Sequence, residues 1–486
     1  MKIPERLVGF VKYENIDMAF EFDSVRFIVN LYPPKDQWEH FASPAYIFGS
    51  HKHALSEHQW IPERRLEGVS SSGYRTIFSI KGDPTIFAGF LSFHAYWYFI
   101  RSNDDESGEL FHGFSVMGKA VDSFYSPRIA LEQSYEFGEH GISKISVTSK
   151  DNSASTCGSY VFKDTVSATM EIVALSSASS GDHEHPIFAH SKYITTFSEL
   201  VTVDDIVEAF RYLLHFFRYI TCRNNVVFEK IDLFTLNEKD KREYNGLLVF
   251  PPRTSEDLNV DAQSHLIIYQ DLGEKVSCLF QDIKAQIISL QHNCDTFDAR
   301  RSYPSSRVIM LLAAFERLYG SLYGKDTERS ELYTETKDQV VALIKSYEEK
   351  CQGKRKQHVK DLRKFVANRD SSYSTNVIYA LKTCSSIMKP FVLRKYRGSY
   401  FEIIEELGRR VGELRNGVAH CKLDFSLEAV HLCDLLVVEE LLYAMELKHI
   451  GLTMYQCQTA INRLFKEHLF LPKPQDEVQA DSLLAD

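Results

Sequence analysis

No stretch of this sequence is apolar enough for long enough to cross a bilayer as a helix. Such a span needs about 20 consecutive apolar residues, and the best run, residues 87–100, is broken by Ser92 and His94. The first six residues, Met-Lys-Ile-Pro-Glu-Arg, lack the apolar core of a secretory signal. Low-complexity tracts are missing as well. The nine cysteines are odd in number, scattered, and nowhere spaced Cys-x-x-Cys. This argues against a disulfide framework and reads as reduced thiols in a cytosol. The expectation is a soluble, cytoplasmic protein with no membrane partner.

What is present is a globular composition, 44% hydrophobic and 25% charged over 486 residues, with a net charge of −10. That length suits roughly three domains whose cores need no covalent staples. An acidic total speaks against a nucleic-acid partner, but its distribution speaks the other way. Between Cys351 and Arg415 there are fifteen Lys and Arg against six Asp and Glu, densest at Lys354-Arg355-Lys356, Arg394-Lys395-Tyr396-Arg397 and Arg409-Arg410. A local positive field can hold a polyanion on an acidic protein; a solvated helix face is the plainer reading of the same residues.

Residues 1–195 predict an antiparallel β domain, sandwich- or barrel-like. Short runs rich in Val, Ile, Phe and Tyr (7–13, 25–31, 74–80, 94–101, 142–147 and 165–174) are separated by Gly, Pro, Ser and Asp clusters. A mixed segment, 196–272, completes this half. It holds a helix over 203–221, capped by Thr202 or Asp204, and strand-like pieces at 226–231, 246–250 and 265–269. Two histidine groups lie in the β-rich half, His51, His53 and His58, and His183, His185 and His190. Alternate positions on a strand share a side, so either pair could chelate a metal. Loop-like surroundings without a nearby cysteine favour ordinary exposed histidines, and neither metal nor cofactor is expected.

From 273 to 470 the apolar residues recur at steps of three and four, the period of helices packed in an antiparallel bundle. The predicted helices are 276–290, 305–323, 331–348, 357–367, 376–389, 399–419, 427–446 and 454–468. Residues 471–486 are acidic, contain two prolines, and are expected to form a disordered tail. The fold class is therefore α+β, a β-rich amino-terminal half followed by an all-α bundle.

Within the bundle one stretch breaks the apolar pattern, Glu413-Leu414-Arg415-Asn416-Gly417-Val418-Ala419-His420. Tyr400, Ile403, Ile404, Leu407, Val411, Leu414 and Val418 line one helix face, so Arg415 and Asn416 fall at its border. Five residues apart, Arg415 and His420 point roughly 140° from each other on a straight helix. They can meet one phosphate only if the helix loosens, for which Gly417 is the natural place, or if a second copy supplies the partner. A second Arg-x4-His pair, Arg463 and His468, lacks the asparagine and the glycine and serves as a control. An acid on another predicted helix, Glu316, sits at the border of its apolar stripe beside Leu312 and Tyr319. It is costly there unless paired, and Arg415 is its natural partner.

Arg415-Asn416-x-x-x-His420 in a carboxy-terminal helical bundle resembles the HEPN superfamily of ribonucleases. The joining of that bundle to a β-rich half of about 270 residues resembles the ApeA family of abortive-infection defence proteins. The resemblance implies metal-independent RNA cleavage by attack of a ribose 2′-hydroxyl, leaving a 2′,3′-cyclic phosphate and a 5′-hydroxyl. His420 would move the proton, since its ordinary pKa is near neutral. The forked, permanently charged Arg415 would hold the phosphate. Asn416 would orient backbone or phosphate, and Glu316 would hold Arg415. The same resemblance implies a homodimer or higher homo-oligomer with the site shared across a two-fold axis, tRNA as substrate, cut in its anticodon loop, and a phage-derived activator such as a structural protein sensed by the β-rich half. The alternative is a non-catalytic binding or dimerisation protein in which Arg415 and His420 are structural. A metal enzyme built on the amino-terminal histidines is the weaker third reading.

Overall fold

The computed structural model describes residues 5–42, 63–102, 108–138, 141–150, 153–178, 187–228, 230–251, 260–324, 331–368, 372–419 and 427–471. The protein is α+β, with strands in the first half and helices in the second. It divides into two compact units, Met1–Phe217 with Asn225–Gln263, and Arg218–Asn224 with Ser264–Asp486.

Alternation builds the first unit. In β1 (Arg6–Tyr13) every second residue from Leu7 is buried, the period of a strand with one face on a core. This strand pairs antiparallel with β2 (Ile16–Asp23) and β4 (Glu63–Ser70). β2 pairs with β3 (Ile28–Tyr32), and β4 with β5 (Tyr74–Lys81). Both β3 and β5 then pair with the long strand β7 (Phe90–Ser102), to which the short β6 (Thr85–Phe87) is added. The β5–β7 pairing closes six strands into a barrel in the order β7-β3-β2-β1-β4-β5. Its interior is aromatic: Phe22 lies 4.9 Å from Phe78 and 4.8 Å from Tyr98 between ring centres, the tilted and edge-on contacts such rings prefer.

On its other side β7 continues into an open wing through β15 (Arg242–Val249), β14 (Lys230–Leu236), β8 (Leu110–Met117), β13 (Ile187–Thr202), β12 (Val166–Ala178) and β11 (Ser153–Lys163). A separate ribbon pairs β9 (Leu131–Gly138) with β10 (Gly141–Ser149). Helix α1 (Val203–Thr221) follows β13 directly. Thr202 is its cap: the hydroxyl accepts from the Asp205 amide at 3.3 Å, while the Asp205 carboxylate accepts from the Thr202 amide at 3.0 Å. Ile206, Leu213, Phe217 and Ile220 form its buried side, as their spacing predicts.

The stretch 265–269, expected as a strand, contains none. Leu266 and Ile267 are buried, and the Ile267 amide bonds the Ile220 carbonyl, so this apolar run is covered by packing within the second unit and not by a ladder.

The second unit contains α2 (Val276–Lys284), α3 (Ser305–Leu322), α4 (Glu331–Glu349), α5 (Gly353–Asn368), α6 (Tyr373–Thr383), α7 (Ser385–Lys395), α8 (Tyr400–Ala419), α9 (Ala429–His449) and α10 (Met454–Phe465). The predicted helix 276–290 stops at Lys284, beyond which Gln286 takes φ +56°. The predicted helix 376–389 is two helices broken at Cys384, and the second runs on through Pro390. A proline inside a helix removes a donor and frees the carbonyl four residues back. Here that carbonyl, of Ser386, accepts a hydrogen bond from the Gln458 side chain at 2.9 Å.

Helix α6 lies close against α8 because α8 has two glycines one turn apart. A Cβ on Gly408 would sit 2.4 Å from Ile378 Cγ1 and 3.0 Å from the Ser374 carbonyl oxygen, whereas one on Gly412 would sit 3.1 Å from Ser374 Cβ. Alanine gains about 1 kcal/mol over glycine in a helix, but forced overlap in a packed core costs about 1–3 kcal/mol. Gly408→Ala is therefore expected to lower the urea midpoint of the helical unit, with Gly412→Ala nearly neutral.

Helix α9 is buried from Leu435 to Leu447 on nearly all sides yet carries Asp434, Glu439, Glu440 and Glu446. Asp434 accepts two bonds from the Arg410 guanidinium, at 2.8 and 2.7 Å, and one from Tyr396 at 2.6 Å. Glu439 accepts from Arg307 at 2.8 Å and from Tyr303 at 2.6 Å. Glu440 takes Lys395 at 2.7 Å on one oxygen, while the other has no partner among the described residues. Burial pushes the Glu440 carboxyl up to about 8, Lys395 opposing and Glu467 adding to the shift. Burial first, then Asp282, holds Glu446 far above the usual carboxylate range.

Both groups keep their protons in the folded state at pH values where the unfolded chain, with carboxyl pKa near 4.5, has released them. The stability they contribute is complete below that value and is lost as pH rises toward 8 and beyond, at no more than about 1.4 kcal/mol per pH unit per group. Urea unfolding at pH 6.5 and 8 should show the helical unit weaker at pH 8. Glu446→Gln should remove part of that loss.

Candidate functional site

Arg415 and Glu316 come from different helices of the second unit. On α3, Val308, Leu311, Leu312, Phe315 and Tyr319 are buried, and Glu316 follows at the edge of that stripe. On α8, Ile404, Leu407, Val411 and Leu414 are buried, which leaves Arg415 at the border and Asn416 exposed. Arg415 Nη2 donates to Glu316 Oε1 at 3.2 Å, with the two side chains 41% and 44% exposed. An ion pair this open to solvent contributes on the order of 0–1 kcal/mol. Its effect is orientation: one of the five guanidinium N–H groups is fixed on the carboxylate, and the others stay available to an anion.

Tyr373 of α6 stands beside this pair. Its ring packs 5.4 Å from Phe315, and its hydroxyl donates to the Leu312 carbonyl at 3.2 Å. Burial, then the neighbouring Glu316 charge, holds the phenol well above its ordinary pKa, with Arg415 opposing. It therefore remains a protonated donor. Sequence periodicity alone does not mark it, because Tyr373 lies at the very start of its helix.

Helix α8 runs without a break through Gly417, which is buried, to Ala419. The loosening considered at Gly417 does not occur. His420 lies outside the described residues, as do His51, His53, His58, His183, His185 and the segment 472–486. His190 is within β13, opposite Leu175 of β12. The control pair shares with Arg415 an arginine near the end of a helix, paired to an acid from another element. It differs in its helix end and in the burial of the acid, Asp271 being 6% exposed against 44% for Glu316. Arg463 is held by Asp271 at 2.5 Å, α10 ends at Phe465 with Lys466 in the left-handed region, and His468 is exposed beyond it.

No family model, no curated protein and no solved structure matches this chain. Among the described residues, no group of three or more His, Cys, Asp or Glu side chains is placed to hold a metal ion, and no helix is long and apolar enough to cross a membrane. Eight cysteines, from Cys157 to Cys457, are free thiols, most of them buried.

The cations counted along 351–415 are distributed unevenly between internal pairs and solvent. Lys395 joins Glu440 and Glu467, Arg394 joins Glu467, Arg410 joins Asp434, and Lys382 joins Glu405. Two of the three dense basic runs are thus largely engaged with acids of the same unit. Lys354, Arg355 and Lys356, at the start of α5, are exposed, so the free positive field of this region is concentrated there.

Proposed function

We propose that this protein is a metal-independent endoribonuclease of the HEPN type, akin to the ApeA family, acting in the cytoplasm in abortive-infection defence against phage. The observation that carries the reading is the Arg415–Glu316 contact beside Arg415-Asn416-x-x-x-His420: an arginine at a helix end, oriented by an acid from a second helix and open to solvent.

In this reading RNA binds with a scissile phosphate on the free N–H groups of Arg415. The 2′-hydroxyl of the preceding ribose attacks the phosphorus, the 5′-oxygen of the next nucleotide leaves, and the products are a 2′,3′-cyclic phosphate and a 5′-hydroxyl. His420 transfers protons in that exchange, and Arg415 stabilises the negative charge that accumulates on the phosphorane oxygens. Asn416, exposed one residue on, orients the phosphate or the backbone around it. Because α8 stays helical through Gly417, no loosening there brings the two side chains of one copy together, and the reading calls for a two-fold dimer whose second motif closes the cleft. tRNA, whose loops offer unpaired and flexible linkages, is the favoured substrate. The β unit would sense a phage component, such as a structural protein.

A non-catalytic role for the same pair has one observation in its favour, the ordinary exposure of both side chains. Expression in a bacterial host separates the readings. Growth arrest relieved by His420→Ala and by Arg415→Ala, but not by His468→Ala, is the expected result; arrest unaffected by the first two variants supports the binding role.

A further inference from the structure

The hairpin formed by α4 and α5 leaves an apolar face uncovered. Val340, Leu343 and Tyr347 follow one another at steps of three and four, so they line one side of α4, and they are 37%, 68% and 51% exposed. Leu362 of α5 is 58% exposed. The line of contact between the helices is marked by the half-buried Ile344 and by Glu348, which accepts from Arg363 at 2.7 Å. Leu343 and Leu362 each immediately precede a residue on that line, Ile344 and Arg363. Two antiparallel helices are related by an approximate two-fold axis normal to their common plane, so equal offsets project from the same face. The four apolar side chains therefore share one surface.

That surface is rimmed by cations. Arg355 lies seven residues before Leu362, two helical turns along the same line of α5, and Lys350 is the first residue past the end of α4; both are exposed. Of the described acids on the two helices, Glu348 is engaged by Arg363. Asp338, Glu349 and Asp361 lie about 100° or more around their helices from Leu343 or Leu362, and Glu335, at the far end from Lys350, lies about 80° from Leu343. An apolar surface with a positive rim selects an apolar, acidic occupant; a second identical face would set cation against cation.

One segment of this chain has that composition. Residues 476–486 carry Asp476, Glu477, Asp481 and Asp486 with no Lys or Arg, interleaved with Val478, Leu483 and Leu484. Twelve residues separate Leu471 from Leu483, an extended reach of about 40 Å. Glu467 is anchored on Lys395 at the end of α7, and Cys384, just before α7 begins, contacts Tyr323 at the end of α3, which leads into the hairpin. Helix α7 is about 16 Å long and Leu343 lies about 18 Å along α4 from its start, so the reach is of the same order as these two lengths together.

We propose that residues 476–486 dock, within the same chain, on the apolar face of α4 and α5 formed by Val340, Leu343, Tyr347 and Leu362, with the acids of the segment against Lys350 and Arg355. This holds whether or not the nuclease reading is correct. Hydrogen exchange read by mass spectrometry tests it on three proteins: the full chain, a chain ending at Pro474, and the full chain with Asp476→Lys, Glu477→Lys and Asp481→Lys. In the full chain, peptides from 336–347 and 355–366 should exchange roughly tenfold more slowly than in either variant. The difference should be independent of protein concentration and should shrink in 1 M salt. Adding a synthetic peptide of residues 472–486 to the shortened chain should restore the protection. Equal exchange in all three proteins overturns the proposal. So does protection that grows with protein concentration, which would make a second copy the occupant, and so does an effect of truncation that extends to α9.

Discussion

Glu439→Ala is expected to cost the helical unit about 3–5 kcal/mol, the range for breaking a buried ion pair by deleting one partner. Glu439 is 1% exposed and accepts from both Arg307 and Tyr303, and its loss strands a guanidinium whose side chain is 7% exposed. Arg307 keeps other bonds, to the carbonyls of His292, Arg300 and Ser302 at 3.0, 2.7 and 2.7 Å. These satisfy Nε and Nη1 but leave Nη2, which donates to Glu439, without that partner, and they do not neutralise the charge. Arg307 thus ties the irregular segment before α3 to the central helix, and the variant should unfold that segment along with the bundle. Chemical denaturation followed by circular dichroism measures the loss. The paired replacement Arg307→Met with Glu439→Leu should recover much of it, because no buried charge is then left without a counter-charge.

The second large effect, expected on the proposed nuclease reading, is on activity. Arg415→Ala should lower RNA cleavage by about 10²–10³, as does removal of a group that stabilises charge in the transition state. His420→Ala should lower it by about 10²–10⁴, the range for a proton-transfer group. The double variant should lose little beyond the worse single one, because groups acting in one step are not additive. Stability should hardly change on Arg415→Ala, since the ion pair to Glu316 is open to water and contributes on the order of 0–1 kcal/mol. That contrast with Glu439→Ala separates chemistry from folding. Glu316→Gln should give an intermediate loss, because it weakens the hold on Arg415 while leaving the guanidinium in place.

The division of labour along the chain was legible because two periods, near 2 and near 3.6, change over between the β-rich half and the bundle. The border position of Glu316 on its helix was legible for the same reason; the contact with Arg415 is present, but the burial cost expected to enforce it is not, because Glu316 is 44% exposed. Barrel closure was not legible. It depends on β5 meeting β7 along Tyr74–Ser102 and its neighbours, a pairing that alternation within either strand does not encode. Nor were the partners of the basic runs, since Arg394, Lys395 and Arg410 look like solvated cations until α9 brings Asp434 and Glu440 to them. The acids of α9 read locally as breaks in an apolar pattern, although Asp434, Glu439 and Glu440 are each a tie to another element. The helix boundary at Cys384 escaped because Pro390, the obvious stop signal, is accommodated by Gln458.

The most direct measurement is end-group analysis of RNA incubated with the purified protein, together with lysate of phage-infected cells as the source of activator, in the presence of EDTA. Fragments ending in 2′,3′-cyclic phosphate and beginning with 5′-hydroxyl, formed by the native chain and by His468→Ala but not by Arg415→Ala or His420→Ala, are the predicted result. Cleavage that chelation abolishes, or that proceeds unchanged in the Arg415 and His420 variants, would contradict it.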